Sequence, residues 1–438
     1  MKRIVLSTAV ALLMATSTRA ETSAVDASRN AAMDASRNAA VDTGRAVAIA
    51  GDCIACHTAP DGKPFAGGLP METPIGTIYS TNITPDSKTG IGAYSYDDFV
   101  RAVRDGVAKD GHQLYPAMPY PSYAKVSDAD MRAMYTYFMS GVDAVEQNNR
   151  ASDIPWPLSI RWPLAVWNAV FVDTAVFQPV AGRDETWNRG AYLVEGLGHC
   201  GSCHTPRGIG FQEKAMGFAE GSQFLAGGMI DGWFAKSLRN DKGIGLGDWS
   251  EADIVRFLKT GRTDHTAAFG GMTEVISHST QHMSESDLNA MAVYLKSLSP
   301  QSGKGYQPKA GSTTFADLRA GNYAQRGAVA YAEYCQNCHR ADGMGAPAIF
   351  PALAGNSAVL PDNPASVIRI VLAGGRMPVT ADGPFRAFAM PGFARMTDDE
   401  VADVATFIRT SWGNNAPAVS AQDVAKARKA YALIPARP

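Results

Sequence analysis

Three copies of one five-residue motif constrain the fold of this chain more than any other feature of its sequence. All six cysteines lie in the pattern Cys-x-x-Cys-His, at residues 53–57, 200–204 and 335–339. This is the attachment signature of c-type haem, because two thiols at this spacing reach the two vinyl groups of one porphyrin and the next histidine reaches its iron. The sequence therefore predicts three covalently bound haem c groups. The residues predicted to hold them are Cys53, Cys56, Cys200, Cys203, Cys335 and Cys338 as thioethers, with His57, His204 and His339 as proximal iron ligands.

Zinc binding and disulfide bonding are the competing uses of paired cysteines in an exported chain. A zinc site needs two pairs close together, whereas these pairs begin at 53, 200 and 335, more than 130 residues apart. Disulfide bonds do not require a histidine after every second cysteine. Three complete motifs that use every cysteine therefore favour haem attachment.

The sequence around the motifs repeats as well, which predicts one small helical fold used three times. Residues 90–106 match 245–261 position by position, and in both a serine, Ser95 or Ser250, is a predicted helix N-cap. The last helix of each repeat has a cap, an acid three residues later and an apolar face, which predicts a capping box or a close variant. The cap and acid pairs are Ser127 with Asp130, Ser284 with Asp287 and Thr397 with Glu400.

The predicted fold class is all-α, with tandem haem-binding units at 43–145, 186–298 and 320–414. A glycine stands near the start of each unit, which predicts that the first helix packs closely on another helix. These glycines are Gly44, Gly190 and Gly327.

The segments outside the units differ in composition from the units. Residues 1–20 are predicted to be a cleaved secretory signal, since Lys2 and Arg3 precede a short apolar run. The other predicted segments are a flexible leader at 21–42, linkers at 146–185 and 299–319, and a C-terminal tail at 415–438. Within the first linker, residues 160–171 carry Trp and Phe beside apolar residues. This stretch is either an interfacial helix on a membrane surface or a cover over the groove between the first two units.

The ligand on the second face of each iron separates an electron carrier from an enzyme, because a haem that binds peroxide or oxygen keeps that face open. Methionine is the expected ligand, since its thioether favours ferrous iron. Met118 and Met390 lie a few residues before the last helix of the first and third units. In the second unit Met272 is preferred to Met283, which directly precedes the helix cap and has a structural role there. The alternatives left open are His278, His282 and Met283 in the second unit and Met344 and Met377 in the third, while His112, His199 and His265 are predicted to be surface or structural residues.

The charge balance and the hydropathy exclude two classes of protein. The chain has 40 Lys and Arg against 42 Asp and Glu, so it lacks the basic surplus that would neutralise the phosphates of a nucleic acid. No segment after the signal reaches about 18 consecutive apolar residues, so no membrane-spanning helix is predicted in the mature chain.

Four longer stretches, 78–85, 114–120, 199–208 and 267–272, extend the pattern beyond the haem motifs. Through them, and over nearly all of its mature length, the chain resembles the triheme cytochrome c subunit of membrane-bound bacterial dehydrogenases. This group serves quinohaemoprotein alcohol dehydrogenase and the flavin-dependent gluconate, fructose and sorbitol dehydrogenases. The resemblance implies three tandem cytochrome c domains and supports Met118, Met272 and Met390 as axial ligands.

The resemblance also implies a function. Electrons would leave a periplasmic catalytic subunit with a PQQ, flavin or molybdenum cofactor, pass through the three haems and reduce ubiquinone in the cytoplasmic membrane. The chain itself is expected to have no substrate-oxidising site, to attach peripherally to the periplasmic side of the membrane and to have a small third subunit as a further partner. The alternatives are a cytochrome subunit of an aldehyde dehydrogenase complex, a multihaem peroxidase or reductase with an open haem, and a soluble shuttle between diffusing partners.

Overall fold

The computed structural model describes residues 34–301, 306–383 and 386–432. The predicted signal at 1–20 and the first part of the predicted leader lie outside these ranges. Most of the regular structure in the described ranges is helical, as expected. These ranges also contain three two-stranded antiparallel sheets, so the prediction of an all-α fold is wrong in this respect. Each sheet is a short hairpin in one of the three units.

The first unit begins earlier than predicted. A helix covers 34–50, so residues 34–42 are helical and the prediction of a flexible leader is wrong there. A π turn, Arg101–Asp105, follows the third helix of this unit. The elements of the first unit are α1 (34–50), α2 (Cys53–Cys56), β1 (Pro70–Thr73), β2 (Gly76–Tyr79), α3 (Tyr96–Val100), α4 (Tyr120–Tyr123) and α5 (Asp128–Ser140).

The second unit has the same order of elements, preceded by α6 (Pro163–Phe171) in the predicted linker. Its first helix continues into a π turn at Leu193–Leu197, and short 3₁₀ turns lie at Phe218–Glu220 and Thr280–His282. Its elements are α7 (Glu185–Tyr192), α8 (Gly201–His204), β3 (Gly228–Ile230), β4 (Trp233–Ala235), α9 (Glu251–Thr260), α10 (Gly271–His278) and α11 (Glu285–Ser297).

The third unit includes helices from both segments that flank it in the prediction. A helix begins inside the predicted linker 299–319 and buries Leu318, and another lies in the predicted tail and buries Val424. In the tail helix Arg428 also pairs with Asp398, with Nε 2.9 Å from Oδ1. The elements are α12 (Thr314–Ala320), α13 (Ala328–Tyr334), α14 (Gln336–His339), α15 (Ala365–Ala373), β5 (Gly375–Arg376), β6 (Ala389–Met390), α16 (Asp398–Thr410) and α17 (Ala421–Ala432).

The predicted helix caps are confirmed, with one informative variation. The side chains of Ser127, Ser284 and Thr397 each accept a hydrogen bond from the backbone N–H three residues later. Only the Thr397 cap of these three has the reciprocal bond that completes a capping box. In α5 the carboxylate of Asp130 instead accepts a hydrogen bond from the hydroxyl of Tyr192, in the second unit. The sequence predicts that Asp130 bonds within its own helix cap, whereas the structure shows that it joins the first unit to the second.

The close helix crossing that the three glycines predict is also confirmed. A Cβ atom at Gly44 would overlap the backbone of Ala133 in α5, and one at Gly190 would overlap the backbone of Ala290 in α11. Gly327, at the N-cap of α13, meets the backbone of α16 in the same way. The helix before each haem motif therefore touches a later helix of its unit backbone to backbone, α1 on α5, α7 on α11 and α13 on α16. This contact fixes the position of the haem motif relative to that later helix.

A buried ion pair joins the first unit to the second. Lys125 Nζ lies 2.8 Å from Oε2 of Glu195, whose side chain is 6% exposed. The other oxygen of Glu195 accepts hydrogen bonds from the hydroxyl of Tyr294 and from the N–H of Phe218. Every polar atom of this carboxylate is therefore satisfied at the boundary between the two units.

The second and third units meet through strand β4. The hydroxyl of Ser366, in α15, accepts a hydrogen bond from the N–H of Phe234 and donates one to the carbonyl of the same residue, at 2.9 and 3.0 Å. The guanidinium of Arg262 donates to the carbonyls of Ala348 and Pro378 in the third unit. The three units are thus arranged in chain order, with the second in contact with both others.

Candidate haem sites

In each of the three motif histidines, Nδ1 lies at hydrogen-bond distance from a backbone carbonyl. Nδ1 of His57 lies 2.7 Å from the carbonyl oxygen of Thr81, and Nδ1 of His204 lies 2.7 Å from that of Lys236. Nδ1 of His339 lies 2.9 Å from the carbonyl oxygen of Pro351. Because a carbonyl only accepts, Nδ1–H must donate and Nε2 carries the free lone pair. This is how proteins fix the tautomer and the ring orientation of a metal-ligating histidine.

The charge state of these histidines also suits iron binding. Burial lowers the pKa of all three imidazoles, and that of His204 falls to about 4. The hydrogen bond to the backbone carbonyl acts in the opposite direction and is the weaker effect. Each imidazole is therefore neutral at neutral pH, which is the form that binds a metal.

The first two motifs open into one continuous cavity. Its volume is about 2120 Å³, and its walls include the cysteines and the histidine of both motifs. The third motif lies at a separate and narrower cavity whose walls are almost entirely apolar. That cavity is lined by Cys335 and His339, and also by Thr266, Ala267 and Phe269 of the second unit. These three residues also line the shared cavity, so the third site lies next to the other two.

The predicted methionines lie in these cavities. Met118 and Met272 line the shared cavity, and Met390 lines the third. Met390 is in β6, where it pairs with Gly375 of β5. The shared cavity thus has two pairs of thiols, two oriented imidazoles and the two predicted thioethers in its walls, and the third has Cys335, His339 and Met390 around an apolar volume. Both arrangements fit covalently held haem c.

Most of the alternative ligands are not among the residues that line the two cavities. Met344 is 51% exposed, and neither it nor Met377 is among the residues that line the third cavity. His278 pairs with Glu274, with Nε2 3.3 Å from Oε2, and His282 Nε2 lies 3.1 Å from the Ser277 carbonyl. Met283 does line the shared cavity, as Met272 does. In the third cavity Met396 is a lining residue as well as Met390.

The profile of the family described as cytochrome c matches this chain three times, over residues 41–141, 188–299 and 324–412. The chain belongs to the cytochrome c family. The matched ranges each contain one of the three haem motifs, so the three units are cytochrome c domains.

Characterised relatives extend over most of the chain. It is 56% identical over 390 residues to the gluconate 2-dehydrogenase cytochrome c subunit of Pantoea cypripedii, covering 87% of this chain and 88% of the relative. It is 52% identical over 393 residues to the cytochrome c subunit of the quinone alcohol dehydrogenase of Gluconobacter oxydans strain 621H, covering 87% and 80%. Identity to the fructose dehydrogenase cytochrome subunit of Gluconobacter japonicus is 36% over 411 residues, covering 89% and 82%.

A residue that the sequence leaves without a specific role lies between the first two cytochrome c domains. His199, which precedes Cys200, adopts a left-handed backbone conformation with φ of 37°. Its ring packs edge-on against that of Tyr123, with the ring centroids 5.6 Å apart. The hydroxyl of Tyr123 donates to the carbonyl of Gly51 at 2.6 Å. The tyrosine that holds the turn before the first haem motif therefore packs against the residue before the second motif.

Helix α6 has two different faces. Toward the protein, Trp167 Nε1 donates to the carbonyl of Gly210 in the second domain, and Asn168 accepts from the hydroxyl of Tyr120 in the first. Toward the outside, Trp162 is 70% exposed and Val166 and Val170 are also exposed. The helix covers the junction of the two domains and also presents an apolar surface. Within the described residues, no helix has the length and hydropathy needed to cross a bilayer.

Proposed function

We propose that this chain carries electrons from a periplasmic catalytic dehydrogenase subunit to ubiquinone in the cytoplasmic membrane, through three c-type haems. The observation that carries the proposal is that the three candidate haem sites are neighbours. The first two motifs share a cavity, and residues of the second domain line the third. Sites in such contact suit transfer between haems rather than three independent reactions.

The proposed iron ligands are His57 with Met118, His204 with Met272 and His339 with Met390. Bound haem supplies one-electron chemistry between ferric and ferrous iron. The chain would hold each porphyrin through two thioethers and orients the imidazole through a backbone carbonyl, beside largely apolar cavity walls. With a histidine and a methionine both bound, an iron would have no open position for peroxide or oxygen, which favours a carrier over a peroxidase.

The names of the relatives support the proposed partner. They are cytochrome subunits of gluconate, alcohol and fructose dehydrogenases. We propose that the partner of this chain likewise oxidises an alcohol, a sugar or a sugar acid, with PQQ, flavin or molybdenum as its cofactor. A small third subunit would complete the complex.

The test uses membranes from the native host with and without the gene. Ethanol, gluconate, fructose, sorbitol and acetaldehyde are added one at a time, and the reduction of endogenous ubiquinone is measured by extraction and chromatography. We expect one class of substrate to lose ubiquinone reduction to background without the chain, while NADH still reduces the pool. Restoring the gene with Cys203→Ala should not recover activity. Unchanged reduction with every substrate would contradict the proposal.

The outer face of α6 is the proposed contact with the membrane. Trp162 and Val166 are exposed there, and Trp with aliphatic residues is typical of interfacial helices. Burial of each large apolar side chain is worth about 1.5–3 kcal/mol, so Trp162→Ser with Val166→Ser should weaken retention in the membrane fraction about tenfold or more. Trp167 is left intact because its hydrogen bond to Gly210 holds the domains together.

The matched control for this variant is Phe315→Ser with Val329→Ser, which removes two exposed apolar side chains from the third domain. Retention is measured by washing membranes at increasing salt and staining for haem. Equal retention of the two variants would show that α6 is only a cover over the domain junction.

A further inference from the structure

Lys236 connects the second haem site to the third domain. Its backbone carbonyl accepts the hydrogen bond from Nδ1 of His204 at 2.7 Å. Its ammonium donates to the hydroxyl of Ser357, in the third domain, at 2.6 Å. The same ammonium lies 4.1 Å from the centroid of the Trp249 ring, and the residue lines the shared haem cavity. A single residue therefore brings a positive charge to the wall of the cavity that would hold the second haem, and its backbone orients the imidazole proposed to bind the iron.

This charge has no carboxylate partner among the described residues. The contacts of the ammonium are the Ser357 hydroxyl, the indole of Trp249 and, at 3.4 Å, the carbonyl of Gly245. Such neighbours stabilise a cation without neutralising it. In a wall of low polarity an uncompensated charge acts strongly on any other charge nearby.

The first domain has a neutral residue at the position that corresponds to Lys236. The carbonyl that accepts from His57 belongs to Thr81, which lies 155 residues before Lys236, the offset that also relates Gly90 to Gly245. Thr81 is neutral and its side chain is exposed. The third domain has Pro351 in this role. The three domains therefore share the carbonyl contact, and the second alone adds a lysine to it.

We propose that Lys236 raises the reduction potential of the second haem relative to a neutral residue at this position. Reduction adds one electron at the iron, so a fixed cation nearby favours the ferrous form. The bond to Ser357 holds the ammonium in place, and the potential of the second haem thus depends on the docking of the third domain. Lys236 acts on the haem through charge and through the His204 imidazole, as a positioning residue.

The test is a spectroelectrochemical titration of the full haem-loaded chain, which requires neither the dehydrogenase nor a quinone. The titration is run at pH about 6, well below the ordinary pKa of a lysine, so that the ammonium is charged. For Lys236→Thr we expect one of the three midpoint potentials to fall and the other two to stay. Lys236→Arg keeps the charge and should leave all three close to those of the wild type. Three unmoved midpoints in Lys236→Thr, or an equal shift in Lys236→Arg, would overturn the proposal.

A second variant keeps the test decisive if Lys236→Thr fails to load its second haem. Thr81→Lys introduces the charge at the equivalent position of the first domain, where the side chain is exposed and has room. One midpoint should then rise, with haem content and melting temperature unchanged. An unchanged set of midpoints in the fully loaded Thr81→Lys chain would count against a role of charge at this position.

Discussion

Met272→Leu is expected to open the second iron while the other two stay closed. The thioether is lost and leucine offers no ligand, so one haem becomes high-spin and binds carbon monoxide. The weak methionine-to-iron band at the red end of the ferric spectrum should fall by about a third, because one of three such bonds is gone. One of the three midpoint potentials should fall, since the thioether is what favours ferrous iron.

Met283→Leu is the matched control, because both methionines line the shared cavity. Met283 is 8% exposed and directly precedes the cap of α11, where a leucine of similar volume packs equally well. This variant should keep the full band and bind no carbon monoxide. If instead Met283→Leu loses the band and Met272→Leu keeps it, the assignment of the second axial ligand is reversed.

Lys125→Met is expected to destabilise the joint between the first two domains by about 3 kcal/mol, because it leaves the Glu195 carboxylate buried beside an apolar side chain. The melting temperature of the haem-loaded chain should fall by about 10 °C, as followed by circular dichroism. The loss is smaller than for an isolated buried charge, since Tyr294 and Phe218 still donate to Glu195.

Two further variants separate the buried pair from a general charge effect. Adding Glu195→Gln to Lys125→Met removes the unpaired charge but keeps an acceptor for Tyr294, so stability should return in large part. Lys88→Met breaks an exposed pair between the first domain and Glu146 of the following linker and should cost at most about 0.5 kcal/mol. Equal melting temperatures for Lys125→Met and Lys88→Met would show that the buried pair contributes no more to stability than the exposed pair.

The local structure of each domain could be predicted from sequence because its determinants lie close together in the chain. The cap at Thr397 needs only Glu400, and the haem motif needs only five residues. The glycine crossing, although it joins distant helices, was visible because Gly190 and Gly44 repeat at the same place. The three short hairpins were missed because strands of two to four residues are too short to produce an alternating pattern.

The contacts between domains could not be predicted, because the residues that form them neither repeat along the sequence nor form a short motif. Asp130 has the sequence of a capping residue, yet its carboxylate bonds to Tyr192 of the next domain. His199 is one of several histidines outside the motifs, and only the fold places it against Tyr123. The faces of α6 were ambiguous for the same reason, because Trp162 and Trp167 look alike in sequence but one is exposed and the other is bonded to Gly210.

The cavity common to the first two motifs bears on how the protein matures. Residues 53–57 and 200–204 are far apart in the chain, yet the porphyrins that they would bind would fill one volume. A porphyrin missing from one motif would leave an unfilled volume beside the other, with the loss of packing that any large void causes. The first two domains are therefore expected to depend on each other's porphyrin for their packing, and the third domain shares part of this dependence, because residues of the second domain line its cavity.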